Sequence, residues 1–264
     1  MKQEILQSGA FEKWSRAGFV ARGIVYGLIG VLAVALALGA GGKATNQQGA
    51  LETVARQPLG RVLLVLIAVG LGGYSCWRLV RAALGRGPEA RGDNLIDRLA
   101  GFGSGAVYAF LCVVAARIVV GSYHGANGST SKQTAGILGW PGGRWIVGVA
   151  GVVMVVVGIY QAYRALSLEF LDDAKVGQMD PGVRRLITVV GIVGHLARMV
   201  VFGLIGIFLV KAAVDYNPRK AVGVGGALSR LLQEPAGNVL LGIVAAGLVS
   251  FGIYSMTDAR YHRL

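Results

Sequence analysis

The stretch Gly18-Phe-Val-Ala-Arg22-Gly-Ile-Val-Tyr26-Gly27-Leu-Ile-Gly30 returns without a gap as Gly194-His-Leu-Ala-Arg198-Met-Val-Val-Phe202-Gly203-Leu-Ile-Gly206. The shared Ala-Arg and aromatic-Gly-Leu-Ile-Gly words are too particular to come from hydrophobic composition alone, so the chain contains an internal repeat. The downstream halves agree: Gln57-Pro58-Leu-Gly60-Arg61-Val-Leu-Leu corresponds to Glu234-Pro235-Ala-Gly237-Asn238-Val-Leu-Leu, and Gly49-Ala50-Leu51 to Gly226-Ala227-Leu228. A more diverged copy lies between them, with Gly105-Ala-Val-Tyr108 matching Gly23-Ile-Val-Tyr26 and Pro141-Gly-Gly143-Arg144 matching Pro58-Leu-Gly60-Arg61.

Each copy holds two apolar runs near the ~20 residues that cross a bilayer. They fall at about Gly18 to Gly39, Val62 to Trp77, Leu99 to Val120, Trp145 to Tyr163, Ile187 to Val210 and Asn238 to Met256. The chain of 264 residues is 54% apolar and only 15% charged, against roughly 25% charged in soluble proteins, which removes the soluble classes. The expected fold is all-α: a polytopic membrane protein of six transmembrane helices, arranged as three parallel helix-hairpin repeats around a pseudo-threefold axis. The repeats span residues 11–91, 96–171 and 184–264 and together form one membrane domain. Because the first run recurs where no cleavage could occur, it is not read as a signal peptide.

Proline suits the first turn of a helix, so Pro58, Pro141 and Pro235 are expected to start the second run of each pair. An aromatic residue stands seventeen positions after each Pro-x-Gly glycine, at Trp77, Tyr160 and Tyr254, followed four positions later by Arg81, Arg164 and Asp258. The three rings, with Arg81 and Arg164, are expected to be interfacial anchors at headgroup depth. Segments such as Gly49 to Arg56 and Gly226 to Leu232 read as short amphipathic turns on the opposite surface, and Gly121 to Thr134 as a polar loop. Glycine, 42 residues, is concentrated in the apolar runs, where it serves close helix approach. Gly23 with Gly27, and Gly101 with Gly105, have small-xxx-small spacing. Cys76 and Cys112 lie in apolar runs and read as small buried hydrophobes.

Orientation follows from Lys and Arg asymmetry. Fourteen such residues lie on the side of the N-terminus and nine on the other, so both termini are expected in the cytoplasm. The net charge of +13 is accounted for by topology and attraction to anionic lipid, with no call for nucleic acid.

Ionisable residues inside membrane segments are candidate functional groups. Arg22 lies about four residues inside the N-terminal-side edge and can snorkel, towards a structural or lipid-phosphate role. Arg198 is its counterpart and reads the same way, while Arg117 reaches outward. His195 precedes Arg198 by three residues on nearly the same helical face, and reads as a hydrogen-bonded core or interface residue. With His124 in a loop and His262 in the tail, a metal or haem site is not expected, and no cofactor is. No acidic residue is placed at mid-membrane, and no P-loop, HExxH or nucleophile with its base is found.

At these residues the sequence resembles a family of bacterial membrane proteins, domain of unknown function 1206, whose unit is a pair of transmembrane helices usually present three times. The stretches at Ala21 to Tyr26, Gly49 to Leu51, Gln57 to Gly60 and Phe251 to Tyr254 carry the likeness, which covers nearly the whole chain. The resemblance implies the bacterial cytoplasmic membrane, no activity and no catalytic residues. The middle copy departs from it, with Ser104 where the others have Arg22 and Arg198.

The expectation is therefore a non-enzymatic scaffold or accessory subunit that packs against the lipid bilayer, anionic lipids, a protein partner or a second copy of itself. The alternative is a small transporter or channel for an anion or apolar solute, with Arg22, Tyr26, Tyr108, Arg198 and Phe202 near its inner mouth; these five and His195 are the candidate residues for binding lipid or solute.

Overall fold

The computed structural model describes residues 9–40, 44–84, 95–121, 130–172, 174, 177 and 179–261, the side chains of 9–15, 81, 84, 95–97 and 100 excepted. Its regular elements are helices: α1 (Gly9–Ala37), α2 (Gln47–Ala55), α3 (Gly60–Leu84), α4 (Leu95–Val119), α5 (Thr130–Leu138), α6 (Gly143–Leu166), α7 (Pro181–Val214), α8 (Val224–Leu232) and α9 (Gly237–Tyr261). Short 3-10 turns lie at Glu169–Leu171 and Pro218–Lys220. Six helices are long and apolar enough to cross a bilayer, at Arg16–Ala37, Gly60–Val80, Gly101–Val119, Gly143–Leu166, Pro181–Val214 and Gly237–Tyr261. The fifth begins earlier than its apolar run, because Pro181 occupies the first helical turn behind Asp180 and Arg184 and Arg185 continue the helix on its exposed side.

The Pro-x-Gly words do not start the helices as expected. Gly60, Gly143 and Gly237 donate to the carbonyls of Gln57, Trp140 and Glu234 at 2.8, 2.9 and 2.8 Å. Each proline is thus the second residue of a four-residue turn, and the third has positive φ: 63° at Leu59, 77° at Gly142 and 58° at Ala236. Proline followed by a left-handed residue is the chemistry of a type II turn. The helix begins only at the glycine, which lies against carbonyls at the end of the preceding short helix: Val54 and Ala55, Ile137, and Leu231 and Leu232. A side chain there would collide with that backbone.

Short helices α2 and α8 stand where outer turns were expected. They are pinned inward by Ala50, Leu51, Ala227 and Leu228, all buried. The middle repeat has the matching α5, where a loop was expected through Thr134; residues 122–129 of that loop lie outside the described residues. Cys76 is exposed and Cys112 half-buried, which corrects the expectation that both are buried.

Two compact units divide the chain, and α1 and α9 contribute to both. The first draws on Met1–Val25, Leu51–His124 and Ser255–Leu264, the second on Tyr26–Ala50 and Gly125–Tyr254. In the first, Gly18 lies against Tyr74, and Gly70 against Ala17 and Ala21. In the second, the equivalent Gly194 lies against Phe251, and Gly247 against Val193 and Ala197. These contacts hold the two long helices of one repeat together.

A second set joins the later helix of one repeat to the first helix of another. Helix α3 packs on α4 and α6 on α7. Cys112 meets Gly72 and donates to the Ala68 carbonyl at 3.2 Å. At the equivalent places Gly206 meets Gly151 and Val155, and Gly30 meets Ala245 and Val249. The sequence repeat is therefore also a repeat of contacts. Small residues at these seams let backbones approach closely, which is how membrane helices gain dispersion energy without a hydrophobic effect. Of the spaced pairs, Gly101 and Gly105 do pack, against Ala82 and Leu79, whereas Gly27 faces open space.

Candidate functional site

In the first unit the polar centre is Arg22, carried into the apolar segment by the fourth turn of α1. Its residue is 7% exposed. Its Nε donates to Ser255 Oγ at 2.7 Å and its Nη1 to Tyr74 Oη at 2.7 Å. Nη2 lies 3.5 Å from Asp258 Oδ2. Ser255 Oγ in turn donates to the Phe19 carbonyl at 2.8 Å. The guanidinium also stacks over the rings of Phe19 and Tyr74, at 4.9 and 5.1 Å. A buried charge survives only when paired and hydrogen-bonded, and Arg22 is both. It is a strut between α1, α3 and α9 and does not need snorkelling to water. Nearby, Arg16 Nη1 donates to the carbonyls of Ala259 and Arg260 at 2.9 and 2.8 Å, supplying donors to the open C-terminal end of α9.

The Asp258 partner was missed from sequence. Its signal is present all the same: the position four residues after the conserved-spacing aromatic is Arg81 and Arg164 in the other copies, so one repeat carries an inverted charge there.

An aromatic cluster surrounds the strut. Phe19 meets Tyr74 and Trp77 edge-on, both at 5.2 Å, and Tyr108 meets Tyr74 at 4.6 Å. The second unit repeats the cluster with His195 in place of Phe19. His195 contacts Phe251 and Tyr254 edge-on at 5.5 and 5.3 Å and stacks on Phe170 at 5.2 Å. Its Nδ1 is 2.9 Å from the Gly191 carbonyl. His195 thus occupies the place of a core ring.

This geometry corrects the anchor assignment. Trp77 and Tyr254 are only 4% and 5% exposed, shut inside the two clusters, while Tyr160 is 43% exposed. The reason lies in the first helix of each repeat: Phe19 and His195 supply a ring for the aromatic to pack against, and the middle repeat has Gly101 there. Arg164 stays near the surface with Glu169 at 3.9 Å. The Arg81 side chain lies outside the described residues.

Arg198 repeats Arg22 in sequence but not in surroundings. Its guanidinium lies over Phe251, Phe202 and Tyr26 at 4.3, 5.0 and 5.4 Å. Phe251 takes the place of Tyr74 and offers no hydroxyl. The Nε of Arg198 is buried and has no hydrogen-bond partner among the described residues. Tyr26 in turn meets Phe251 edge-on at 4.8 Å. The six expected binding residues are therefore divided: Arg22 and Tyr108 sit in the first unit, and Tyr26, His195, Arg198 and Phe202 in the second.

Elsewhere, a shallow open recess at the start of α7 is lined by Met179, Pro181, Arg184, Arg185, Thr188 and Val189. Among the described residues no group of three His, Cys, Asp or Glu side chains could hold a metal ion.

Six apolar spans built from a helix pair that occurs three times define an all-helical polytopic membrane protein. The chain belongs to the family described as Domain of Unknown Function 1206, which matches residues 17–85, 99–167 and 193–262, once in each repeat. It is 35% identical over 258 residues to a Bacillus subtilis (strain 168) protein described as uncharacterized protein YxxB, covering 96% of this chain and 92% of that one. No solved structure matches.

Proposed function

We propose that this chain is a non-enzymatic subunit of the bacterial cytoplasmic membrane that acts by contact, as a scaffold or accessory protein packing against a partner or lipid, with both termini in the cytoplasm. The observation that supports this most is the fate of Arg22. The most deeply buried cation among the described residues is spent on Ser255, Tyr74 and Asp258 of its own chain, which leaves it a structural job.

The outer faces point the same way. Over an apolar stretch of 18 residues in each, the two spans of the middle repeat are 22% buried, against 50% for the first and last spans. Val149, Val152, Val156 and Ile159 on α6, and Val107, Phe110 and Val113 on α4, are exposed. In a bilayer such faces contact acyl chains or another helix. Extraction in a mild detergent is expected to retain a partner protein or tightly held lipid, and a clean, lipid-free monomer would overturn the reading. Orientation is tested by fusing a reporter active only in the cytoplasm to the C-terminus.

A transporter or channel for an anion, built around a pseudo-threefold axis, is the second reading, favoured by the unpaired Nε of Arg198. Vesicles containing the protein would then pass an anion faster than empty ones, and faster than vesicles carrying Arg198→Gln.

A further inference from the structure

Arg22 and Arg198 are equivalent residues with opposite circumstances, and the difference can be followed position by position. Around Arg22 the partners are Tyr74, Ser255 and Asp258. The repeat offset puts Phe251 in place of Tyr74, Gln161 in place of Ser255 and Arg164 in place of Asp258. A hydroxyl has become a phenyl edge and a carboxylate has become a second cation. Helix register supports the correspondence. Gly151 of α6 lies against Gly206 and Val210 of α7, and Gly158 lies against Met199 and Gly203, so one turn further brings Gln161 level with Arg198. Gln161 is itself buried, at 8% exposed.

Arg198 is consequently a fixed cation without a carboxylate among the described residues. Three rings surround its guanidinium carbon, at 4.3 to 5.4 Å. Ring contacts of this kind use none of the N–H donors of a guanidinium as conventional hydrogen bonds, which leaves those donors to bind an anion. The depth is suitable as well. Val214 ends α7 sixteen residues beyond Arg198, a rise of about 24 Å, which takes up most of the ~30 Å hydrocarbon core. The guanidinium therefore comes within a side chain's reach of the headgroup layer on the N-terminal side.

We propose that Arg198 binds a phosphate oxyanion at that depth, its guanidinium set among the rings of Tyr26, Phe202 and Phe251. Phosphate suits the site because guanidinium N–H groups match its oxygens in charge and geometry. The source is either a phospholipid headgroup or a free phosphate, and the site stands whether the chain works as a scaffold or passes a solute.

The test uses the full chain, purified in a maltoside detergent that carries no phosphate. Its unfolding temperature is followed as phosphatidylglycerol, an uncharged galactolipid or inorganic phosphate is added. A saturable rise of about 5 °C is expected. Response to phosphatidylglycerol alone identifies a headgroup, and response to inorganic phosphate identifies a free anion. Either supports the proposal if Arg198→Gln abolishes it while the surface variant Arg184→Gln retains it. No phosphate-dependent rise, an equal rise with galactolipid, or a response undiminished in Arg198→Gln would overturn it. Should Arg198→Gln fail to fold, Gln161→Glu keeps the arginine and provides an internal carboxylate. That variant is expected to fold and to lose at least ten-fold in apparent phosphate affinity, and unchanged affinity would count against the site.

Discussion

The guanidinium of Arg22 in the first span and the carboxylate of Asp258 in the last meet at 3.5 Å, with both side chains less than a tenth exposed. Removing one member of such a pair strands the other in a poorly solvated place, which costs about 3–5 kcal/mol in comparable buried pairs. Asp258→Asn is therefore expected to lower stability by about 3 kcal/mol, read as a fall in the thermal midpoint in detergent. The double variant Arg22→Met, Asp258→Leu should recover most of the loss. A double variant as unstable as the single one would show that the hydrogen bonds to Ser255 and Tyr74 matter more than the ion pair.

His195 stands where the first repeat has Phe19, so a phenyl ring should fit its place. We expect His195→Phe, which keeps the ring contacts but adds volume and loses the bond to the Gly191 carbonyl, to cost about 1–2 kcal/mol. His195→Ala removes a ring stacked among Phe170, Phe251 and Tyr254 and should cost about 3 kcal/mol. Denaturant titration of both variants gives the comparison, and equal losses would assign the imidazole a polar role that stacking does not explain.

The three turns before α3, α6 and α9 place Leu59, Gly142 and Ala236 at positive φ. A Cβ in this region costs roughly 1–2 kcal/mol. Gly142→Ala is expected to lower stability by about 1 kcal/mol and Ala236→Gly to raise it by up to about 1 kcal/mol. Opposite signs in the two measurements are the discriminating result.

Glycines at seams and glycines facing outward should respond differently. A Cβ at Gly206 would lie 2.7 Å from the backbone of both Gly151 and Val155, while one at Gly27 meets nothing within 4 Å. Gly206→Ala is expected to cost about 1–3 kcal/mol through overpacking. Gly27→Ala should be neutral or slightly stabilising, given alanine's better helix propensity. Parallel unfolding curves in the same detergent separate the two.

Much of the architecture could be read from sequence because its signals are local. Twenty apolar residues make a span wherever they occur, and the Ala-Arg and Pro-x-Gly words mark the same place in each copy. What escaped was decided between helices. Pro58, Pro141 and Pro235 read as helix starts, but the left-handed residue after each one delays the helix by two positions. Trp77 and Tyr254 read as interfacial anchors, and are core because Phe19 and His195 reach them from another helix. Tyr160, with Gly101 opposite in the repeat pattern, did not. Arg22 and Arg198 carry the same letters, and the residues that face them separate a satisfied charge from an unsatisfied one: Tyr74, Ser255 and Asp258 in the first case, Phe251, Gln161 and Arg164 in the second.

The Arg22 pairing also has a consequence in time. Ribosomes add about 5–20 residues each second, so Arg22 enters the membrane some tens of seconds before Asp258 has been synthesised. During that interval Phe19 and then Tyr74 are made but Ser255 and Asp258 are not, and the cation must be sheltered by water, lipid phosphate or the insertion machinery. Completion of the last span ends that exposure, so a nascent chain halted before Ser255 should be a better substrate for membrane quality-control proteases than one halted after Asp258.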